Sequence, residues 1–227
     1  MHETGTEHAA RREQFRRRDG RFGEQPPKPQ NTVTDIWKLS FDESNSFGDG
    51  VITGDGVTMG NFNEFGNGTV LESGVSLGND NLIHDQVIVG HNSRIGHLVD
   101  IGEGSLIGDR TQIEYAVSMM GHVRIGNDTL IGERVKMGDK VTIGHYACIE
   151  KGAVLDNGSL VGHRTTIGSY STLMAGSVIG ERCTVGHDVF VSAGVHVGND
   201  VVIDDYVILT EGEDIPDGVH VTIPRQT

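Results

Sequence analysis

Histidine is the residue type in this sequence with the clearest capacity for chemistry, and its spacing is regular. His91, His145 and His163 are separated by multiples of 18 residues, as are His97 and His187, and each follows an aliphatic residue and a glycine. Because the ordinary imidazole pKa lies near neutrality, these side chains suit general-base catalysis. A turn that favours small polar residues also accommodates histidine, so the spacing identifies candidates and leaves a purely structural role open.

Arginine repeats in the same way. Arg110, Arg164 and Arg182 occupy equivalent positions, with Arg164 and Arg182 separated by 18 residues. Two neighbouring guanidinium groups are able to clamp a phosphate or a carboxylate. Nearby acidic residues, among them Asp128 and Asp200, offer the alternative of surface ion pairs, which usually contribute little.

The elements that must position these residues follow from a shorter period. Every sixth residue from Met59 to Val221 is hydrophobic, without one insertion, and the residue after it is usually glycine. Two residues earlier lies mostly a small or β-branched residue, so both side chains point inward on a strand of period two. Six residues therefore make one short strand and one turn, and we expect the glycine to supply the conformational freedom of that turn. An α-helix cannot keep a period of six on one face for this long.

A second period of 18 residues is superimposed on the first. Seven glycines from Gly50 to Gly212 are separated by multiples of 18 residues, which places them in every third six-residue unit. Three units then close one coil, and about nine to ten coils, spaced like neighbouring β-strands, form a triangular prism. In this arrangement His145 and His163 lie on adjacent coils of one corner, close enough to share a metal ion.

One face of the predicted prism is apolar on its outer side. Its outward positions are Val70, Ile88, Leu106, Leu160 and Val178, interrupted by Arg124 and Thr142. A flat apolar patch of this kind usually marks an interface between proteins.

Composition and charge set limits on location and partners. The net charge is −14, while residues 1–30 carry seven basic against five acidic residues. We expect residues 1–30 to be a disordered basic and proline-rich tail, residues 31–46 to cap the first coil, and residues 47–223 to form the repeat. The acidic body does not suit nucleic acid, and the lack of a long apolar stretch argues against a membrane. Because Cys148 and Cys183 are the only cysteines in the sequence, we expect a reducing environment and predict a cytoplasmic protein.

The repeat resembles the bacterial hexapeptide-repeat transferase superfamily over residues 47–221, in runs such as VRIGNDTLIGERVKMGDKVTIGHYACIEKGAVL. The resemblance implies an all-β fold, a single-stranded left-handed parallel β-helix that assembles as a homotrimer. It also implies acyl transfer from a coenzyme A or carrier-protein thioester to a hydroxyl or amine. The sequence departs from many members because no loop interrupts the coils, and because it ends in DIPDGVHVTIPRQT in place of a Gly-Asn-Pro-Ala segment and a helix.

Within that superfamily the sequence is similar to the lipid A acyltransferases, whose base lies in a segment Ile-Ala-His-Asp or Ile-Ala-His-Asn. Val185–Asp188 and Val89–Asn92 have the matching forms VGHD and VGHN. The resemblance therefore implies His187 and His91 as catalytic candidates, with His122 as a third and a backbone N–H for the oxyanion. Arg164 and Arg182 are the candidates for binding coenzyme A as a co-substrate, and no permanently bound cofactor is expected.

Other functions remain open at this level. The principal alternative to a trimeric acyltransferase is a non-catalytic acidic scaffold that binds a basic partner. The γ-class carbonic anhydrases, which share the fold, hold zinc with three histidines, and His84 resembles one ligand; Met120 stands where a second is expected, so no metal site is assigned. Mimicry of nucleic acid by the acidic rod is a further alternative.

Overall fold

The computed structural model describes residues 44–223, and all of its regular structure is β. The thirty two-residue strands are β1 Ser46–Phe47, β2 Ile52–Thr53, β3 Thr58–Met59, β4 Glu64–Phe65, β5 Val70–Leu71, β6 Ser76–Leu77, β7 Leu82–Ile83, β8 Ile88–Val89, β9 Arg94–Ile95, β10 Asp100–Ile101, β11 Leu106–Ile107, β12 Gln112–Ile113, β13 Ser118–Met119, β14 Arg124–Ile125, β15 Leu130–Ile131, β16 Lys136–Met137, β17 Thr142–Ile143, β18 Cys148–Ile149, β19 Val154–Leu155, β20 Leu160–Val161, β21 Thr166–Ile167, β22 Thr172–Leu173, β23 Val178–Ile179, β24 Thr184–Val185, β25 Phe190–Val191, β26 His196–Val197, β27 Val202–Ile203, β28 Ile208–Leu209, β29 Asp214–Ile215 and β30 His220–Val221. Every third strand belongs to the same sheet, which gives three parallel sheets of ten strands.

The three sheets are the faces of the predicted prism. Sheet A begins with β1, sheet B with β2 and sheet C with β3, and successive strands of one sheet pair in register at a separation of 18 residues. Leu106, for example, is opposite Arg124, and Ile107 is opposite Ile125. The expected parallel β-helix is therefore confirmed, with ten coils in the described part of the chain.

The six-residue period arises because each unit sends two side chains into the core. The second strand residue points inward, and Ile101, Ile113, Ile125 and Ile131 are at most 1% exposed. The residue before each strand also points inward, as Val123 does at 0% exposure. Burying one such aliphatic side chain contributes about 1.5–3 kcal/mol, so the columns supply most of the stability.

The structure of the corners differs from the expected role of the glycine that follows each aliphatic residue. The residue with left-handed backbone is the third after the inward aliphatic residue, and it is often not glycine, as at Asn92 (φ 55°) and Arg164 (φ 57°). The glycine directly after the aliphatic residue meets a different demand. A Cβ on Gly126 would lie 2.6 Å from the amide nitrogen of His145 in the next coil. This glycine is therefore required by the close approach of two backbones and not by its φ angle.

The predicted tail and most of the predicted cap lie outside the described residues. The same is true of residues 224–227. Within residues 44–223, no helix is long and apolar enough to cross a membrane.

The glycine directly after the inward aliphatic residue and the glycine with left-handed backbone differ in the substitutions that they tolerate. We expect Gly126→Ala to destabilise the protein by about 1–3 kcal/mol, because the added methyl group forces neighbouring coils apart. Gly158 has φ +67° and no atom within 4 Å of a built Cβ, so Gly158→Asn should change stability by less than about 0.5 kcal/mol. Thermal and urea unfolding of both variants measure the difference. Equal losses would contradict the distinction.

Candidate functional site

A ladder of side chains along the corners explains why histidine recurs there. Where it is Asn, Asp or His, the second residue after the inward aliphatic can accept a hydrogen bond from the backbone N–H of the equivalent residue one coil earlier. Asn127 Oδ1 accepts from Asp109 N (3.0 Å), His145 Nδ1 from Asn127 N (2.8 Å) and His163 Nδ1 from His145 N (2.9 Å). Asn, Asp and His share an acceptor at the same distance from the backbone, so they are interchangeable in this ladder.

The ladder fixes the chemistry of four corner histidines. Nδ1 accepts a backbone N–H in His97, His145, His163 and His187, at 2.8–3.1 Å. An imidazole that accepts at Nδ1 carries its proton on Nε2, so each ring presents a donor at its outer edge. To act as a base through Nε2, such a ring must first give up the ladder bond.

His91 differs from these four within residues 44–223. Its Nε2 lies 2.6 Å from Oε2 of Glu72, and no hydrogen bond from the Ser73 N–H reaches its Nδ1 in the described chain. The Glu72 side chain is 4% exposed, whereas that of His91 is 40% exposed. A carboxylate that holds Nε2–H leaves the Nδ1 lone pair available at a partly exposed position, which is the arrangement of an oriented general base.

Glu72 was missed by the sequence reasoning, although a signal was present. It stands directly after the inward Leu71 on sheet B, where neighbouring coils have Gly54, Gly90 and Gly108. Glu72 therefore departs from the glycine that the close approach of neighbouring coils favours at this position. A break in the glycine pattern, together with the histidine 19 residues later, would have identified the pair.

His187 also has a carboxylate beside it, in a more crowded cluster. Its Nδ1 lies 3.1 Å from the Ser169 N–H and 3.5 Å from Oε2 of Glu150. Ser169 donates its backbone N–H and its hydroxyl to the same Glu150 oxygen, at 3.1 and 2.8 Å. The ladder bond and the contact with Glu150 thus compete for one ring nitrogen.

The three predicted catalytic residues are not brought together. His91 lies at the corner between sheets B and C, His187 at the corner between C and A, and His122 at the corner between A and B. His122 is exposed, has φ 61°, and its ring lies above Gly104 of the previous coil. They are therefore three separate candidates and not one catalytic group.

The two predicted coenzyme A ligands are each engaged within the chain. Arg182 binds Asp200 through two hydrogen bonds of 2.7 and 2.8 Å and also contacts Glu181. These bonds raise the pKa of Arg182 and lower the pKa of Asp200. The Arg164 guanidinium lies 5.7 Å from the centre of the Tyr146 ring. A phosphate would have to compete with these contacts.

Metal and thiol chemistry find little support in the described chain. His84 contacts Asp100 at 3.1 Å, but among residues 44–223 no group of three or more His, Cys, Asp or Glu side chains is arranged to hold a metal ion. Burial raises the pKa of both thiols, Cys148 and Cys183, which disfavours the thiolate needed for nucleophilic attack.

Comparisons with known proteins agree with this architecture. The model of the GMPPB C-terminal domain matches residues 119–217, fewer than half of the chain. LpxA from Acinetobacter baumannii is 13% identical with a TM-score of 0.59, over 81% of this chain and 71% of that one. UDP-N-acetylglucosamine O-acyltransferase (LpxA) from Moraxella catarrhalis is 22% identical, with a TM-score of 0.43, over 70% of this chain and 68% of that one. None of the curated proteins matches the sequence.

The likeness to the Acinetobacter structure is a likeness of fold. It confirms the expected fold, a left-handed parallel β-helix. At this level of identity it carries no information on substrate or mechanism.

The ladder role of a corner histidine is separable from any chemical role. We expect His163→Asn to retain stability within about 0.5 kcal/mol, because asparagine already accepts the same bond at Asn127. His163→Leu should lose about 1–3 kcal/mol, because the His145 N–H is left without its acceptor. Urea unfolding distinguishes the two variants, and a loss for asparagine as large as that for leucine would contradict the ladder.

Proposed function

We propose that this protein transfers an acyl group from a coenzyme A or carrier-protein thioester to a hydroxyl or amine, with His91 as the general base. The observation that carries this proposal is the 2.6 Å contact between His91 Nε2 and the buried Glu72 carboxylate. The fold, which is that of acyltransferases among solved structures, supports the same class of reaction without specifying the substrate.

In this proposal each atom of the pair has a defined role. His91 Nδ1 takes the proton from the acceptor O–H or N–H as the acceptor attacks the thioester carbonyl. Glu72 holds the Nε2–H, so it orients the ring and stabilises the imidazolium that forms. When the C–S bond breaks, His91 returns the proton to the departing thiolate, and the free thiol leaves.

His187 and His122 remain candidates of lower rank in this reaction. His187 would serve as a base if its Nδ1 donated to Glu150 at the expense of the Ser169 ladder bond. His122 has no carboxylate contact within residues 44–223, so it would act without an orienting group. Arg164 and Arg182 would bind the donor only after exchange of their present partners.

A non-catalytic scaffold is the second candidate function, and a specific observation favours it. The ladder gives four of the five regularly spaced histidines a structural role. The corner charges are also paired internally, as at Arg110 with Asp128 and at Arg182 with Asp200. Most of the features that suggested chemistry in the sequence are therefore accounted for by the coil itself.

The test of acyl transfer starts with the donor. Calorimetric titration with acetyl and longer acyl coenzyme A should give saturable binding. Release of free thiol in the presence of hydroxyl and amine acceptors, among them UDP-N-acetylglucosamine, measures turnover. His91→Asn should reduce kcat by about 10²–10⁴-fold. Glu72→Gln should reduce kcat with little change in KM, because the amide oxygen still accepts the Nε2–H but does not stabilise the imidazolium as a carboxylate does.

His97→Asn is the matched control, because His97 occupies the same position in the repeat but accepts the Asn79 N–H at Nδ1. Its activity should equal that of the unmodified protein. Loss of activity in His187→Asn or His122→Asn instead of His91→Asn would move the base to that corner. A protein that binds none of these donors would favour the scaffold.

We further propose that the protein is a homotrimer that packs through sheet B. The predicted apolar column is present, although Val70 and Ile88 are only 2% and 7% exposed within a single chain. The outward side chains of this column that stay half-buried or exposed, and so are accessible to a partner, are Leu106, Leu160 and Val178.

Light scattering tests the assembly. The expected mass is three times the chain mass of 24.4 kDa. Leu160→Arg should reduce it towards the monomer because a charge cannot be buried unpaired at an interface. Leu130→Arg on sheet C, where Leu130 is 37% exposed against 39% for Leu160, should leave the mass unchanged. Dissociation by both variants would contradict an interface on sheet B.

A further inference from the structure

The outward positions of sheet A are apolar in its last two described strands. Phe190 and Ile208 lie opposite each other in register, and they are 39% and 65% exposed. Tyr206, at the corner two residues before Ile208, is also 65% exposed. These three large side chains lie on two adjacent coils, and we call them the sheet A patch. An exposed apolar cluster rimmed by polar residues is typical of a contact surface.

The patch lies at one end of sheet A and away from the proposed trimer interface. Nearer the middle of the sheet, the same column of outward positions holds Asp100, Ser118 and Lys136, one opposite the next. The described strands of sheet A end at β28, which contains Ile208. Because the trimer is proposed to pack through sheet B, a different face of the prism, its interface does not use this patch.

Carboxylates form the rim of the patch. The exposed acidic residues within three positions of a patch residue in the sequence are Asp188, Asp204, Asp205 and Glu211. Asp204 contacts His220 at 2.8 Å, and Asp205 accepts the His187 backbone N–H at 2.7 Å. No lysine or arginine lies nearby in the sequence, because residues 183–223 contain eight acidic residues and neither basic type. The rim therefore attracts a cationic partner.

A ligand for this surface must combine apolar and cationic side chains, and the chain itself contains such a segment. Residues 11–22, which lie outside the described residues, have the sequence RREQFRRRDGRF. They include six arginines, two acidic residues and two phenylalanines, Phe15 and Phe22. Burial of the phenylalanine rings against the patch and attraction between the arginines and the rim would both favour association.

The chain between this segment and the prism is long enough to allow the contact. Residues 23–43 span at most about 70 Å, at about 3.3 Å per residue. The described chain begins at Ser44, two residues before β1, the first strand of sheet A. Nine strand spacings separate β1 from β28 in the same sheet, which corresponds to about 43 Å. The segment can therefore reach the patch of its own chain by following sheet A.

We propose that residues 11–22 dock on the sheet A patch of their own chain. The rings of Phe15 and Phe22 pack on the three patch side chains, and the arginines lie against the carboxylates of the rim. This contact involves neither residue of the Glu72–His91 pair and requires no acyl donor. Its test measures contact and binding without turnover, so its failure leaves the acyl-transfer proposal untouched.

The first experiment maps the contact in the full chain, in its native assembly. Phe15 is replaced by the photoreactive residue p-benzoylphenylalanine, and the cross-linked peptides are identified by mass spectrometry after irradiation. We expect a product within one chain that joins position 15 to residues 188–211. Its yield should fall at about 1 M salt, where the Debye length shrinks to about 3 Å. No product, a product between two chains, or a product with sheets B or C alone would overturn the proposal.

The second experiment measures binding of a fluorescent peptide of residues 11–22 by anisotropy. A full chain with glutamine at all six arginines of the segment should bind it at least about tenfold more tightly than the unmodified chain, whose tethered segment competes. Phe190→Ser in the glutamine variant should weaken binding at least about tenfold. Leu82→Ser is the matched control, 37% exposed at the same strand position of sheet A, and should have no effect. Equal binding by the unmodified chain and the glutamine variant, or equal losses in the two serine variants, would contradict the docking.

Discussion

The in-register stacking of 18-residue coils is the constraint on which the rest of this structure depends. Each residue has the equivalent residues of the coils before and after it as its neighbours, at the distance of two paired strands. From Met59 onward the second strand residues therefore become continuous apolar columns, and corner backbones approach so closely that the next residue must usually be glycine. A substitution at one position acts on two further coils, because no residue in the middle of the prism packs against sequence neighbours alone.

The same stacking gives polar residues structural tasks that look like chemistry in the sequence. A corner N–H needs an acceptor from the next coil, and Asn, Asp or His supplies it. The following residue needs a left-handed backbone, which Asn and Asp tolerate better than most residues, as at Asn92 (φ 55°) and Asp188 (φ 53°). The segments VGHN and VGHD are therefore what two adjacent corner positions favour. Their likeness to a catalytic segment is explained in part by backbone geometry.

The fold was predictable because its signal is repeated in every coil, whereas the site is specified by single side chains. The hydrophobic period of six and the glycine period of 18 determine the strands, the three sheets and the apolar column at Leu106, Leu160 and Val178. The sequence does not reveal which ring nitrogen of a histidine is engaged, since this depends on the rotamer and on the residue one coil earlier. His91 and His97 look alike in sequence, and only the neighbouring Glu72 separates their chemistry. The role assigned to glycine was wrong because the left-handed residue lies two positions further along the corner.

Departures from the repeat are consequently more informative about function than its regular features. A residue type that every coil requires cannot specify one site, because the same requirement recurs ten times along the prism. Glu72 occupies a glycine position and Arg124 an aliphatic one, and the coil needs neither a carboxylate nor a guanidinium there. Both changes add a charge to sheet B, where charge costs stability unless it is partnered. Glu72 has such a partner in His91, whereas no ion pair is formed by Arg124 within residues 44–223. Selection for a ligand or a reaction accounts for such substitutions, whereas selection for the coil alone would remove them.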